Sequence, residues 1–131
     1  PIVAHVNALS ASAAYWIASA ADEIWSTPSG TIGSIGVITS HLDVTKAEES
    51  EGMTRTVIAA GKHKAEGFGA LTDDAVGYLQ GRVDEAYTTM VSDIALGRGR
   101  RVSEVRDGFN AVVDTTEDEH DNELRERLER G

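Results

Sequence analysis

Residues 2–25 read IVAHVNALSASAAYWIASAADEIW, and the fold class follows from how they divide. Ile2 to Val6 is a short apolar run rich in β-branched side chains, the signal of a buried strand. After Asn7 the pattern changes. Ser10 to Ala21 is dense in Ala and Ser around Tyr15, Trp16 and Ile17, and predicts a small-faced helix packed close to its neighbours. Asp22 and Glu23 lead into Ile24 and Trp25, a second short strand stopped by Pro28-Ser29-Gly30. Strand, helix and strand in so short a stretch predict an α/β chain with a mainly parallel sheet flanked by helices.

Farther along, Thr31 to Ser40 (TIGSIGVITS) is glycine-punctuated and then β-branched, so a turn feeds a third strand. Val44 to Glu51 predicts a brief polar helix closed by Gly52, and Thr54 to Ala60 (TRTVIAA) a fourth strand. Gly61 to Leu71 is a loop with three glycines. Thr72 is a good N-cap, with Asp73 and Asp74 in the first turn, where the helix dipole favours them. Val76, Leu79, Val83, Tyr87, Met90 and Ile94 then fall at steps of three and four. They predict one long amphipathic helix ending at Gly97, ~37 Å at 1.5 Å per residue. Ser103 is expected to cap a shorter helix reaching Asp107. Past that helix the sequence turns acidic, and residues 109–131 are expected to form an acidic tail, partly helical or disordered.

Composition excludes several functions. The chain has 131 residues, 40% hydrophobic and 26% charged, which is one globular domain of modest size. It has no cysteine, so disulfides, thiolate-held zinc and a cysteine nucleophile are out. No apolar run approaches the ~20 residues of a membrane helix. The net charge of −10 repels phosphate backbones. The basic clusters, Lys62 with Lys64 and Arg98 with Arg100 and Arg101, lack flanking aromatics, which speaks against nucleic-acid binding. Nothing in the sequence calls for a cofactor or a metal.

The strongest local feature is the strand-to-helix junction around Ser12. A serine there has an exposed hydroxyl beside unpaired backbone N–H groups, which is a nucleophile and part of an oxyanion hole together. The sequence is not G-x-S-x-G, so the hydrolase-elbow pattern is only echoed. Taken alone, serine beside alanine at a tight helix start is more often capping and packing. A serine nucleophile also needs a base. His5, His41, His63 and His120 show no triad spacing with an Asp, and His5 and His63 read as ordinary strand and loop residues. A lysine held neutral by burial can serve instead, and Lys46, Lys62 and Lys64 are the lysines of the chain.

Several segments together carry a resemblance. Ala11-Ser12-Ala13-Ala14-Tyr15-Trp16-Ile17-Ala18, Ala21-Asp22-Glu23-Ile24, Pro28, Thr31-Ile32-Gly33-Ser34-Ile35-Gly36-Val37 and Ala60-Gly61-Lys62-His63-Lys64 resemble, in order and spacing, the signal peptide peptidase A family of Ser-Lys serine proteases. The following helix, closing in Gly97-Arg98-Gly99, fits as well. Ala13-Ala14, where bacterial membrane enzymes usually carry two glycines, is more similar to the phage prohead (capsid maturation) protease branch. The resemblance implies a Clp-protease/crotonase-like core, with residues 1–108 as the C-terminal part of the catalytic domain. It implies Ser12 as nucleophile, Lys64 as general base, Ser34 as the serine that orients the lysine, and the Ala13 amide as one oxyanion donor. Ser10 and Lys62 are the competing candidates. The family's domain begins well upstream, with a turn that holds the other oxyanion donor, and Gly108 to Val113 departs from its usual Gly-Leu-Val-Asp ending. A fragment, a split-gene product and a degenerate copy all remain open.

The implied partner is a polypeptide substrate, cut during head maturation in the prohead or host cytoplasm. The implied assembly is a homo-oligomer in which serine and lysine can come from neighbouring subunits. A cellular, membrane-associated signal-peptide peptidase is the alternative within the same chemistry. A non-catalytic assembly module, binding through the long helix and acidic tail, is the alternative outside it.

Overall fold

The structure, a computed structural model, describes residues 1–108 and 113–114. Its elements run β1 (Val3–Val6), β2 (Leu9–Ala11), α1 (Ala13–Ala18), β3 (Glu23–Ser26), β4 (Thr31–Gly33), α2 (Thr45–Ser50), α3 (Asp73–Gly97), α4 (Val102–Gly108) and β5 (Val113–Asp114). Two compact units result, one built from residues 1–37 with those from Ala86 onward, the other from residues 38–85.

In the first unit β1 pairs in parallel with β3, Val3 opposite Glu23 and Val6 opposite Ser26. β2 pairs in parallel with β4, Leu9 opposite Thr31 and Ala11 opposite Gly33. β4 pairs antiparallel with β5 through Ile32–Asp114 and Gly33–Val113. The fold is mixed α/β, but the single parallel layer read from the sequence is two small sheets, β1-β3 and β2-β4-β5. Between them the Thr27 hydroxyl donates to the Asn7 carbonyl at 2.6 Å, and Thr31 N–H donates to the Ala8 carbonyl at 2.8 Å. These bonds occupy carbonyls that the interrupted ladder would otherwise strand.

Four local expectations are corrected. The helix over Ser10–Ala21 is shorter, because Leu9–Ala11 is strand and α1 is the six residues Ala13–Ala18. Pairing with β4 overrides the helix preference of alanine there. The third strand lies at Thr31–Gly33, ahead of the β-branched residues that follow Gly36. Thr54 to Ala60 is exposed and forms no strand among the described residues. Ser103 lies inside α4. Glu104 Oε2 accepts the Arg101 N–H at 2.8 Å, so the cap position is Arg101, held by half of a capping box. The acidic tail expected at 109–131 lies outside the described residues, apart from Val113–Asp114.

α3 begins as its sequence predicts. Thr72 Oγ1 accepts the Ala75 N–H at 3.1 Å, and Asp73 and Asp74 occupy the first turn. Its end is a Schellman motif: Arg100 N–H donates to the Ala95 carbonyl at 2.9 Å, Gly99 N–H donates to the Leu96 carbonyl at 3.3 Å, and Gly99 takes φ +60°. Burial on α3 is concentrated near this end. Met90, Val91, Ile94 and Ala95 join Tyr15, Ile35 and Val105 in the core of the first unit, with Trp16, Ile24, Ile32, Val37 and Tyr87 packed against it. Val76, at the head of the predicted stripe, is half exposed.

The C-terminal turn of α3 meets the end of α1 at van der Waals distance. A Cβ on Gly97 would stand 2.1 Å from the Ser19 carbonyl oxygen and 2.9 Å from its carbon. The opposing atoms are backbone, so they yield only if α1 shifts. Gly97→Ala is expected to destabilise the protein by about 1–3 kcal/mol despite alanine's better helix propensity. Urea unfolding checks this, and an unchanged or raised midpoint refutes the close approach.

In the second unit, α2 follows an Asx turn in which Asp43 Oδ1 accepts from Thr45 N–H at 3.0 Å and Thr45 Oγ1 at 2.7 Å. These bonds hold the Asp43 carboxyl below its ordinary range. Gly52, at φ +73°, closes the helix. Arg55 pairs with Glu48 and lies 5.8 Å over the Phe68 ring.

Candidate active site

The predicted nucleophile sits one residue past the end of β2 and one residue before α1. Ser12 has φ +54° and ψ −124°, a conformation that costs a residue with a Cβ about 1–3 kcal/mol. One other described non-glycine residue has positive φ, and it is Ser34, at +53°, one residue past the end of β4. Both serines are thus at the carboxyl ends of adjacent parallel strands, where open α/β sheets bind ligands. The Ser12 N–H donates to the Gly33 carbonyl at 2.9 Å, tying the two turns together.

Ser12 is exposed, and among the described residues its hydroxyl caps nothing. Ala13 and Ala14 beside it are also exposed and present only methyl groups. The first helical hydrogen bond is Trp16 N–H to the Ser12 carbonyl at 3.0 Å, so the Ala13 and Ala14 amides precede it. A six-residue helix has little macrodipole, so what this turn offers an anion is the amides themselves. Ser10, the competing serine, is buried within β2.

The far end of α1 is fastened separately. Ser19, itself buried, donates its hydroxyl to the Trp16 carbonyl at 2.7 Å, and Trp16 Nε1 donates to Asp93 Oδ2 at 3.1 Å. Arg98 Nη1 donates to the Ala21 carbonyl at 3.4 Å. These bonds hold α1 against α3, so the strained turn at Ser12 is part of an anchored element.

Lys64 belongs to the second unit, in the loop after Gly61. It is exposed, its N–H donates to the Gly61 carbonyl at 3.3 Å, and among the described residues no carboxylate pairs with it. Lys62, its competitor, lies 3.2 Å from Asp74 Oδ2 in a mostly exposed ion pair. His63 Nδ1 is 2.7 Å from both Glu66 oxygens, so the ring donates there, and the ring stacks on Tyr78 at 4.1 Å with a 2° interplanar angle. His41 Nε2 donates to the Gly69 carbonyl at 2.7 Å. The sequence reading passed over Glu66 and Tyr78. The i,i+3 spacing of His63 and Glu66 was a usable signal, whereas the Tyr78 stack is created by the loop's return to α3. His63, Glu66 and Asp74 bring ligand atoms within 4.8 Å of one another, the one such grouping among the described residues. Their oxygens already face His63 and Lys62.

No helix among the described residues is long and apolar enough to cross a membrane. Comparison with known proteins gives a match to the family described as Peptidase family S49 over residues 1–126. The chain is 33% identical over 114 residues to capsid assembly protease C of Escherichia phage lambda, covering 86% of this chain and 26% of that protein. It is 34% identical over 115 residues to head-tail preconnector protein GP5 of Enterobacteria phage P21, covering 86% and 23%. It is 29% identical over 124 residues to the chloroplastic serine protease SPPA of Arabidopsis thaliana, covering 92% and 18%. The chain therefore spans about a quarter or less of the length of these relatives. With nearly the whole sequence matched, the chain belongs to peptidase family S49.

Proposed function

We propose that this chain carries the Ser-Lys centre of a serine endopeptidase that cuts scaffold or capsid protein during phage head maturation. Residues 1–108 are the C-terminal part of a catalytic domain with a Clp-protease/crotonase-like core, and residues 109–131 are an acidic tail. The conformation of Ser12 carries the reading. A strained, exposed serine with an uncommitted hydroxyl, placed at the carboxyl end of a strand beside a second strained serine, is hard to account for by packing alone. The two phage relatives, named for capsid assembly and for the head-tail preconnector, favour the viral substrate. The chloroplast relative supports the second reading, a cellular signal-peptide peptidase.

In the proposed reaction the neutral Lys64 amine takes the Ser12 proton as Oγ attacks the substrate carbonyl carbon. The Ala13 N–H donates to the oxyanion. The Lys64 ammonium then protonates the departing amine, leaving an acyl ester on Ser12. Water, deprotonated by Lys64, attacks that ester; the C–O bond to Ser12 breaks, the Lys64 ammonium returns the proton to Ser12 Oγ, and the acid leaves. Ser34 acts as a positioning residue for the amine. A lysine is a base only as the free amine, which removal from water favours. Lys64 is exposed in the single chain, so the proposal places it under cover of substrate or of a neighbouring copy in a homo-oligomer. A fluorophosphonate probe tests the centre: peptide mapping is expected to find the adduct on Ser12 and none on Ser10. An adduct on another serine, or none on a protein that digests substrate, overturns the assignment.

A further inference from the structure

We propose that His63, clamped between Glu66 and Tyr78, is the positioning residue that holds the Lys64 backbone in place for catalysis. The inference rests on the Ser-Lys reading and deepens it. Residues 61–69 carry Gly61, Gly67 and Gly69, the first two at φ +104° and +107°, and form no helix or strand. Such a loop does not hold a side chain by its own stiffness. Among the described residues five attachments could do so, and one of them, Arg55 at 5.8 Å over the Phe68 ring, acts near the far end of the loop.

The Lys62–Asp74 pair is mostly exposed on both sides, and ion pairs of that kind hold little. The Lys64–Gly61 backbone bond closes the turn on itself and anchors it to nothing else. The His41 bond to the Gly69 carbonyl acts at the far end of the loop. His63 adjoins Lys64 and is held twice. Its Nδ1–H points at a carboxylate, which can only accept, and its ring lies flat on Tyr78, one turn into α3. His63 and Glu66 side chains are each about a fifth exposed, whereas Lys64 is open. The stack therefore joins the loop to α3, and the charge-assisted bond to Glu66, a residue of the same loop, sets the orientation of the stacked ring.

The ring's place is fixed by its contacts. Its Nδ1 is committed to Glu66, and one face is covered by Tyr78. The groups facing it are Glu66 and Tyr78, with Lys62 and Lys64 on either side in the chain and Asp74 grouped with it from α3. Its contribution is to remove freedom from the residue that follows. A base displaced by 1 Å can cost about 100-fold in rate.

Steady-state cleavage of a peptide substrate by the full-length protein tests this, with fluorophosphonate labelling as a second readout. His63→Ala and Tyr78→Ala are expected to lower kcat about 10- to 100-fold, with KM within about twofold, and to slow Ser12 labelling in parallel. Tyr78→Phe keeps the ring and is expected to restore wild-type kcat, a rescue that a role for the hydroxyl would not give. His63→Gln keeps a donor to Glu66 without the ring, and is expected to lose about 10-fold. It decides the matter if an alanine variant fails to fold. Wild-type kcat in folded His63→Gln and Tyr78→Ala overturns the inference. Lys64→Met is the internal reference. If it remains active the Ser-Lys reading fails, and if it is inactive while the His63 variants are not, only the positioning role fails.

Discussion

Ser12→Ala is expected to lower peptide cleavage by on the order of 10⁴- to 10⁶-fold, as loss of an acylated nucleophile does elsewhere. Thermal stability should stay within about 0.5 kcal/mol of the parent. Both halves have a structural cause. The hydroxyl caps nothing among the described residues, so its removal strands no partner. Alanine also keeps the Cβ, so the strain at φ +54° is unchanged. Ser12→Gly separates the two effects. It removes the same oxygen but relieves the left-handed backbone, and is expected to raise stability by about 1 kcal/mol while remaining inactive. Cleavage assays with calorimetry on both variants check this. Retained proteolysis in Ser12→Ala removes Ser12 as nucleophile, and a less stable Ser12→Gly removes the claim that the turn is strained.

Lys64→Met is expected to be nearly as damaging, by at least about 10³-fold in kcat/KM, because serine loses its proton acceptor. Lys64→Arg should fail to rescue, since a guanidinium stays protonated and cannot act as a base. Lys62→Met, two positions away, breaks only the exposed pair with Asp74. It should cost at most about 1 kcal/mol in stability and leave cleavage unchanged. The contrast is read by comparing kcat/KM and the rate of Ser12 labelling across the three variants. An active Lys64→Met, or an inactive and folded Lys62→Met, moves the base away from Lys64.

How much of this was legible differs from residue to residue. The start of α3 was readable because Thr72 and two aspartates mark it locally, and its end because Gly97 and Gly99 do. α2 and its closing Gly52 were readable for the same reason, and β1 and β3 came from short apolar runs. Ser12 and Ser34 were nominated by resemblance, but their shared backbone conformation was not visible in residue type, since serine rarely adopts positive φ. The fastening of His63 was equally hidden, because Tyr78 reaches it only after the loop folds back.

The chain's own residue order thus determined where helices begin and stop, since a helix satisfies its backbone from residues four positions away. Strands are another matter, because each needs a partner from elsewhere in the chain. Leu9–Ala11, flanked by helix-forming alanines, became β2 because β4 lay alongside it, and Thr54–Ala60, with a strand-like pattern, found no such neighbour among the described residues. The turn that exposes Ser12 was decided at the same level: its N–H is bound to the Gly33 carbonyl, a tertiary pairing that helps hold the serine in a conformation serine rarely adopts.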